Sequence, residues 1–256
     1  MDLGLAGKAA LVAAGTSGLG LGTAVALARE GANVALCGRD PDRLAAAAAT
    51  VDAAGTGRVL ASAVDVTDES AVAAWVDATV AELGGVQVVV TNGAGPPPGP
   101  VTAFGLADYR AALETSLLPH IGLALATLPH LRAAGRGRLL MIASETVKQP
   151  IPRYGLSNVV RVGLVGFAKS LVRELGSAGV TVNVLAPGYH RTPAVERQLG
   201  ADPENRLAEF IADIPLGRLG DAADFGAVAA FLAGDQAGFV TGEVLLVDGG
   251  SHRGLD

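Results

Sequence analysis

The stretch "KAALVAAGTSGLGLG", Lys8 to Gly22, predicts how the chain begins to fold. Its first half is a short apolar run typical of a buried strand, and its second half is a glycine-rich turn that leads into an Ala/Leu-rich segment. A helix that starts directly after such a turn offers free N–H groups and a partial positive charge to a phosphate. The simpler alternative is a tight strand–helix connection. The position after a first strand favours a nucleotide-binding loop, formed by Gly15, Thr16, Ser17, Gly18, Leu19 and Gly20.

Six further apolar runs continue the pattern along the chain. They are "NVALC", "RVLASAV", "VQVVVT", "RLLMIAS", "VTVNVLA" and "EVLLVDG". These runs are too continuously apolar for one-sided antiparallel strands, so they indicate a parallel sheet that is covered on both faces. Longer Ala/Leu-rich segments alternate with them. The chain therefore predicts a single-domain α/β fold over residues 1–256, a doubly wound seven-stranded parallel sheet with helices on both faces.

Helix signals lie between the strands. Asp40 is a candidate N-cap and Pro41 a candidate first helical residue. Apolar spacing of three and four residues predicts helices in "DESAVAAWVDATVAEL" and, continuously, from about Asn158 to Leu175. Ligands of such sheets bind at the carboxyl ends of the strands, so the stiff loop "GAGPPPGP" is expected to border a site.

Composition narrows the function classes. The chain is 50% hydrophobic and 17% charged with a net charge of -6, which argues against disorder and against a nucleic-acid partner. The single cysteine, Cys37, excludes an internal disulfide and a cysteine metal site, and no metal is predicted. Because no signal peptide opens the chain and no apolar stretch free of charges and turn residues reaches ~20 residues, we expect no membrane partner and a cytoplasmic setting.

The end of the second strand decides between NAD and NADP. An NAD-binding domain usually carries an acid about 20 residues beyond the glycines, where it binds the ribose hydroxyls. Here that place holds Gly38, followed by Arg39. An arginine accepts a 2′-phosphate through charge-assisted hydrogen bonds, whereas an acid repels it. The alternative for Arg39 is a solvated surface charge. The sequence favours NADP(H).

With these motifs in order, the chain resembles the classical short-chain dehydrogenase/reductases from about Leu5 to Gly250. "AAGTSGLG" matches the motif TGxxxGxG, with Ala13 and Ala14 in place of Thr and Gly. "TNGAG" matches NNAG, and "PLGRLGDAADFGAVAAFLAGDQAGFVTGEVLLVDGG" closely matches the family's C-terminal stretch. The resemblance implies a Rossmann fold, NAD(P) dependence and a homodimer or homotetramer.

The resemblance also implies further cofactor-binding residues. They match the family's strand-end DV, NNAG and PG…T elements and are Asp65, Val66, Asn92, Gly93, Pro187, Gly188 and Thr192. The segment 189–214, "YHRTPAVERQLGADPENRLAEFIADI", corresponds to the variable lid that sets substrate specificity. Its mixture of charged and apolar residues predicts one or two amphipathic helices, but its substrate, a small molecule, is not identified by the sequence.

The family's catalytic set is altered here. Ser144 matches the serine and Tyr154 the tyrosine, while Asn158 stands at the lysine position and Ser116 at the asparagine position. The spacing between Ser144 and Tyr154 is shorter than usual in the family. Asn158 carries no charge that could stabilise a tyrosinate, but it can hold the nicotinamide ribose together with Tyr154, which makes both residues cofactor contacts as well.

Three functions are compatible with this set. Tyr154 can still donate a proton during NADPH-dependent reduction of a carbonyl, with a weakened relay. An imine or iminium substrate needs no such relay, because hydride transfer to it leaves no oxyanion. A third alternative is a catalytically inactive NADPH-binding regulatory protein. We rank them in that order, because the cofactor motifs are largely intact.

Four other residues could contribute to catalysis. Lys148, four residues after Ser144, is either a replacement cation or a loop surface charge. For Glu145, His190 and Arg161 a structural or surface role is the simpler prediction, and Arg161 could serve a subunit contact.

Overall fold

The computed structural model describes residues 1–200 and 202–255. All seven predicted strands are present and pair in parallel in the order β3-β2-β1-β4-β5-β6-β7. Their bounds are β1 Ala9–Val12, β2 Asn33–Gly38, β3 Val59–Ala63, β4 Val88–Thr91, β5 Arg138–Ile142, β6 Thr181–Pro187 and β7 Val244–Val247. The chain runs outward from β1 in one direction and then returns to continue at β4 on the other side. This reversal creates a crevice at the carboxyl ends of β1 and β4.

Ten helices connect the strands in the described part of the chain. They are α1 Gly18–Arg29, α2 Pro41–Asp52, α3 Glu69–Leu83, α4 Leu106–Ser116, α5 Leu118–Ala133, α6 Gly155–Val160, α7 Val162–Leu175, α8 Pro193–Leu199, α9 Pro203–Ala212 and α10 Ala222–Ala233. Asp40 caps α2 by accepting a hydrogen bond from the Arg43 backbone N–H, with Pro41 in the first turn, as the sequence predicts.

The core lies on both faces of the sheet, which is why most strand residues are apolar. One face carries Leu11, Val89 and Met141 under α3, α5 and α7. The opposite face carries Val12 and Leu140 under α1, α2 and α10. Every residue of β1, β4, β5 and β6 is buried. The predicted doubly wound sheet with helices on both faces is therefore confirmed.

Close backbone contact between α1 and α10 positions the first helix. A Cβ on Gly22 would lie 2.3 Å from the Ala222 carbonyl oxygen, and a Cβ on Gly226 would lie 2.3 Å from that of Gly22. Side chains at either position would push the helices apart. Because α1 begins at the glycine-rich turn, this contact fixes where its N-terminus lies.

One predicted helix differs from the structure. The apolar spacing from Asn158 to Leu175 predicts a continuous helix, but α6 and α7 are separated at Arg161. The chain tightens there, since the Leu164 N–H bonds the Arg161 carbonyl three residues earlier at 3.0 Å. Apolar periodicity does not detect this change, because three- and four-residue spacings continue through it.

Two helical runs, Leu106–Ala133 and Gly155–Ala178, are long and apolar enough to cross a membrane by length and composition alone. In each run, 44% of the most apolar window is buried inside the fold. Leu131 and Leu164 belong to the core cluster under one face of the sheet. A core helix passes the same test, so these runs are weak evidence for a membrane span.

Candidate active site

A cavity of about 530 Å³ opens at the carboxyl ends of the strands. The glycine-rich turn borders one end, and Ser144 and Tyr154 border the other. Most of the predicted cofactor residues line it, namely Thr16, Ser17, Gly18, Leu19, Arg39, Asp65, Val66, Asn92, Gly93, Tyr154, Pro187, Gly188 and Thr192. Gly15 and Gly20 are not among the lining residues. A Cβ on Gly20 would lie 2.5 Å from the Ala14 carbonyl oxygen, so this glycine permits the turn itself.

The glycine-rich turn carries a strained residue. Ala14 has φ 45°, the one positive φ of a non-glycine residue among those described. Its carbonyl accepts a hydrogen bond from the Asn92 side chain at 3.3 Å, which ties the end of β4 to the turn. The matching family residue is a glycine. The turn therefore has left-handed geometry at this position without the residue type that adopts it easily.

The end of β2 lies close to the glycine-rich turn. A Cβ on Gly38 would lie 2.3 Å from Thr16 Cγ2, so a side chain here would require Thr16 to move. Arg39 lines the cavity with an exposed guanidinium that lies 3.7 Å from the Asp65 carboxylate. Arg43, in the first turn of α2, lines the same wall. Sequence reasoning missed Arg43, although its place three residues after the N-cap Asp40 puts it near Arg39.

Asp65 is held as a carboxylate at the end of β3. It accepts hydrogen bonds from the Thr67 N–H at 3.0 Å and the Thr67 hydroxyl at 2.8 Å. The Thr67 backbone bond, more than the hydroxyl bond or the nearby Arg39, lowers the pKa of Asp65. This arrangement turns the carboxylate toward its own loop.

Tyr154 lies in the cavity despite the short spacing after Ser144. A backbone bridge holds it: the Gly99 N–H bonds the Arg153 carbonyl at 2.6 Å, and the Gly155 N–H bonds the Gly99 carbonyl at 2.8 Å. The predicted proline-rich wall thus anchors the tyrosine. The Tyr154 hydroxyl donates to the side-chain carbonyl of Gln198 in α8 at 2.7 Å. It also lies 3.2 Å from the Tyr189 hydroxyl.

Burial sets the acidity of this tyrosine. Desolvation is the main reason why the pKa of Tyr154 is raised, and the nearby Glu145 carboxylate adds to it. The hydrogen bonds with Tyr189 and Gln198 act in the opposite direction but do not cancel the effect. Tyr154 is therefore a protonated donor at neutral pH.

The two serines have different positions. Ser144 lines the cavity, and its Oγ accepts a hydrogen bond from the Thr146 N–H at 3.3 Å, which leaves the hydroxyl proton free for a ligand. Ser116 is fully buried and donates to the Ala94 carbonyl at 3.0 Å. Ser116 is not a lining residue, whereas its neighbour Thr115 is.

Both polar groups of the Asn158 side-chain amide form hydrogen bonds with the backbone of one residue, Ile151. Its Oδ1 accepts from the Ile151 N–H at 3.1 Å, and its Nδ2 donates to the Ile151 carbonyl at 2.9 Å. This pair fastens the loop before Tyr154 to α6, and Asn158 does not line the cavity. Contact between Asn158 and a ribose stays a prediction, and it would require breaking this pair.

The other candidate catalytic residues differ in burial and in whether they line the cavity. Lys148 is exposed and lines neither of the cavities described here, so the structure does not bring it to Ser144 and Tyr154. Glu145 is buried, and burial raises its pKa although the Ser251 hydroxyl donates to it at 2.6 Å. His190 lines the cavity, with Nδ1 3.1 Å from the Gly188 carbonyl oxygen.

Arg161 is neither a surface charge nor exposed for a subunit contact. It is 7% exposed, lines the cavity, and donates from Nη1 to the Ala143 carbonyl at 2.8 Å and the Ile142 carbonyl at 3.2 Å. The suggested surface role is wrong because the side chain points beneath the end of β5. The sequence signal was its position seven residues after Tyr154, on the same helical face.

A second cavity of about 570 Å³ adjoins the first and shares Glu145 and Tyr189 with it. Helices α8 and α9, in the segment predicted to form the lid, border the two cavities. Tyr189 stacks on Phe210 of α9 with ring centroids 4.3 Å apart. The second cavity therefore extends from Glu145 and Tyr189 along α9.

Comparisons with known proteins agree with this geometry. The family model described as enoyl-(acyl carrier protein) reductase matches residues 13–252. The 3-oxoacyl-(acyl-carrier-protein) reductase FabG of Escherichia coli (strain K12) is 33% identical over 248 residues, which cover 96% of this chain and 98% of that protein.

Solved structures show the same similarity. L-sorbose reductase from Gluconobacter frateurii, complexed with NADPH and L-sorbose, is 28% identical with a TM-score of 0.92 over 100% of both chains. A putative short-chain alcohol dehydrogenase from Sinorhizobium meliloti 1021 is 31% identical with a TM-score of 0.90 over 98% of both chains. The fold, the cavity and these relatives together show that the chain belongs to the short-chain dehydrogenase/reductase family of oxidoreductases.

Proposed function

We propose that the protein is an NADP(H)-dependent reductase of a small-molecule carbonyl compound. The observation that carries the proposal is the Tyr154 hydroxyl, which already donates to a carbonyl oxygen, that of Gln198, at 2.7 Å. A substrate carbonyl at the same point would meet a protonated tyrosine in the cavity that Ser144 also lines. The resemblance to NADPH-complexed L-sorbose reductase supports the same reaction class.

The residues at the other end of the cavity fit NADP(H). The N-terminus of α1, whose first turn carries no acid, opens onto the cavity and would attract a diphosphate. Gly38 places no acid beside the ribose, while Arg39 and Arg43 offer two guanidinium groups to a 2′-phosphate. The Asp65 carboxylate stays charged and lies 3.7 Å from Arg39, so a 2′-phosphate would compete with it for that guanidinium.

Side chains of the protein would donate the proton that the reduction needs. When bound, NADPH supplies a hydride to the carbonyl carbon. Tyr154 would give its hydroxyl proton to the carbonyl oxygen, and the Ser144 hydroxyl would hold that oxygen in place. Because burial raises the pKa of Tyr154, the acid form is abundant and the tyrosinate is scarce at neutral pH. The site is thus better suited to reduction than to alcohol oxidation.

Reduction of an iminium ion is a second candidate, favoured by Glu145. This carboxyl group lies between the two cavities and next to Ser144. A cationic substrate would stabilise the ionised form of Glu145 and would need no proton from Tyr154. The catalytically inactive alternative predicts NADPH binding without turnover of either substrate class.

We also propose that the protein assembles as a homodimer or homotetramer through the helices around α5 and α7. Large apolar side chains are exposed there, with Leu118 at 45%, Leu125 at 52%, Val159 at 54% and Val162 at 46%. Light scattering tests this, and Leu125→Glu should lower the measured mass, whereas Arg132→Glu on the same helix should not. A native monomer at micromolar concentration would contradict the assembly.

The decisive experiment compares Tyr154→Phe with the native protein on a panel of ketones and cyclic iminium ions, followed by loss of NADPH absorbance. Carbonyl reduction predicts a large loss of turnover with ketones in the variant. Turnover that occurs with iminium ions and is unchanged in the variant would favour the second candidate. Tight NADPH binding without any turnover would favour the inactive alternative.

A further inference from the structure

The second cavity, of about 570 Å³, is lined by charged residues that differ in whether they are paired. Asp213 lies 3.1 Å from Arg253, and both side chains are exposed. Glu209, which is also exposed, lies 2.6 Å from Arg206 of the same helix. These carboxylates are therefore compensated by neighbouring arginines at the surface, where a further charged group would gain little from them.

Glu145 and Arg153 line the same cavity without a partner of opposite charge. Among residues 1–200 and 202–255, neither side chain lies within 4.0 Å of an oppositely charged group. Glu145 is 9% exposed, and Arg153 is half-buried. A charge that is withdrawn from water without a counter-charge is costly, and a ligand that carries the opposite charge would offset that cost.

One oxygen of the Glu145 carboxyl group is available to a ligand. Its Oε2 accepts a hydrogen bond from the Ser251 hydroxyl at 2.6 Å, and a Cβ on Gly188 would lie 3.3 Å from it. Its Oε1 has no hydrogen bond within the described part of the chain, yet it is not among the fully enclosed unpartnered atoms, so it is open to the cavities that Glu145 lines. His252 lines the second cavity too, and both of its ring nitrogens are buried without a partner.

The surroundings of Glu145 favour a positively charged group of the ligand. Burial is the main reason why the pKa of Glu145 is raised, and the carboxylates of Asp248 and Asp213 add to it. The hydrogen bond from Ser251 and the charge of His252 act in the opposite direction without cancelling the effect. An ammonium group that donates to Oε1 would stabilise the ionised carboxylate.

The Arg153 guanidinium offers hydrogen-bond donors to a negatively charged group. It lies over two aromatic rings, 5.3 Å from the ring centre of Phe210 and 5.9 Å from that of Tyr154. A guanidinium has five N–H donors in one plane and binds a carboxylate through two parallel hydrogen bonds. Arg153 therefore provides a position for a carboxylate next to the ring of the proposed proton donor.

We propose that the substrate is a ketone that also carries the ammonium and carboxylate groups of an amino acid. The ammonium group binds Glu145 and the carboxylate binds Arg153, while the ketone oxygen meets Tyr154. Phe210 and Ile214 are buried apolar residues of the second cavity that would contact the carbon chain. This inference rests on the proposed carbonyl reduction and names its substrate class.

The first test compares four ketones on the native protein. The probe 2-amino-4-oxopentanoate carries both charges, 4-aminopentan-2-one only the ammonium group, 4-oxopentanoate only the carboxylate and pentan-2-one neither. Affinity is measured by calorimetry in the presence of NADP, which cannot supply a hydride. One charge-assisted interaction corresponds to about a ten- to hundredfold change, so each singly charged probe should bind that much more weakly than 2-amino-4-oxopentanoate. Equal affinities for the four probes would overturn the inference.

The second test removes each charge from the protein. Glu145→Gln keeps the shape of the side chain and should bind 2-amino-4-oxopentanoate no better than 4-oxopentanoate. Arg153→Met should bind it no better than 4-aminopentan-2-one. Thermal unfolding checks the fold, and Glu204→Gln and Arg173→Met, which are exposed and lie outside both cavities, should keep the native preferences. Native preferences in a folded Glu145→Gln or Arg153→Met would overturn the inference.

Turnover separates this inference from the function on which it rests. The ratio kcat/KM for each probe is measured by loss of NADPH absorbance. If the native protein reduces pentan-2-one as efficiently as 2-amino-4-oxopentanoate, the substrate class is wrong and the carbonyl reduction stands. If it binds the four probes with the expected preferences but reduces none of them, the proposed reduction fails instead.

Discussion

The hydroxyl of Tyr154 donates a hydrogen bond to the side-chain carbonyl oxygen of Gln198 at 2.7 Å. Gln198 belongs to α8, the first helix of the lid, whereas Tyr154 is anchored to the proline-rich wall through Gly99. One hydrogen bond therefore joins α8 to the proposed proton donor. In the proposed carbonyl reduction the substrate oxygen would accept the same proton, so the substrate would have to displace the Gln198 carbonyl.

Replacing Gln198 should make substrate binding easier. Gln198→Ala removes the competing acceptor, and a neutral hydrogen bond is worth about 0.5–1.5 kcal/mol, so we expect KM for a small ketone to fall by up to about tenfold. The rate constant kcat should change little. Glu196→Ala, an exposed neighbour on α8 that does not line the cavity, is the control. A higher KM in Gln198→Ala would mean that Gln198 binds the substrate.

The rates of reduction and of alcohol oxidation should depend differently on pH. Because the pKa of Tyr154 is raised above its ordinary value of about 10, the proton donor persists through neutral and mildly alkaline pH. The rate of reduction should stay level from about pH 7 to 9. The rate of oxidation of the product alcohol, which needs tyrosinate, should rise steadily over the same range. Steady-state rates in both directions check this. A plateau of the oxidation rate near pH 7 would contradict a raised pKa.

Cofactor preference should depend on two arginines. Arg39→Ala and Arg43→Ala each remove a guanidinium from the proposed phosphate end of the cavity. We expect NADPH affinity to fall by about tenfold in each variant, with NADH affinity unchanged, because only NADPH carries the 2′-phosphate. Both side chains are exposed, so the difference should shrink at high salt. Arg110→Ala, an exposed arginine of α4, is the control. Equal native affinities for the two cofactors would refute the assignment.

Replacing Ala14 by glycine should stabilise the protein. An alanine at φ 45° is strained, and glycine relieves that strain at a smaller entropic cost. Ala14→Gly should raise the free energy of unfolding by up to about 1 kcal/mol, measured by chemical denaturation. The neighbouring Ala13 is buried and has no positive φ, so Ala13→Gly should instead destabilise the protein. A destabilised Ala14→Gly would show that the methyl group has packing that outweighs the strain.

Periodicity and turn chemistry were sufficient to predict the sheet. Seven continuously apolar runs and the cap at Asp40 are local signals, and the structure contains all of them. The catalytic end was less predictable, because it depends on contacts between distant segments. No local sequence signal predicts the hydrogen bond between Tyr154 and Gln198, which are 44 residues apart. Nor does one predict the two hydrogen bonds between the Asn158 amide and the Ile151 backbone. The buried position of Arg161 follows from how α6 and β5 pack, which the sequence does not specify.

Asn158→Lys addresses the altered catalytic set directly. A lysine there restores a cation four residues after Tyr154, and a positive charge within about 4–6 Å lowers the pKa of an anionic partner by ~1–3 units. The pH at which oxidation, which needs tyrosinate, reaches its full rate should therefore fall. The substitution also removes the two hydrogen bonds to Ile151, which loosens the loop before Tyr154 and lowers stability.

Asn158→Ala separates these two effects, because it loses the same hydrogen bonds and adds no charge. The measurement is the pH profile of kcat/KM for alcohol oxidation with NADP. We expect the pH at which this rate levels off to lie ~1–3 units lower in Asn158→Lys than in the native protein, and to stay near the native value in Asn158→Ala. Equal profiles in the two variants would mean that the missing lysine does not limit the base function of Tyr154.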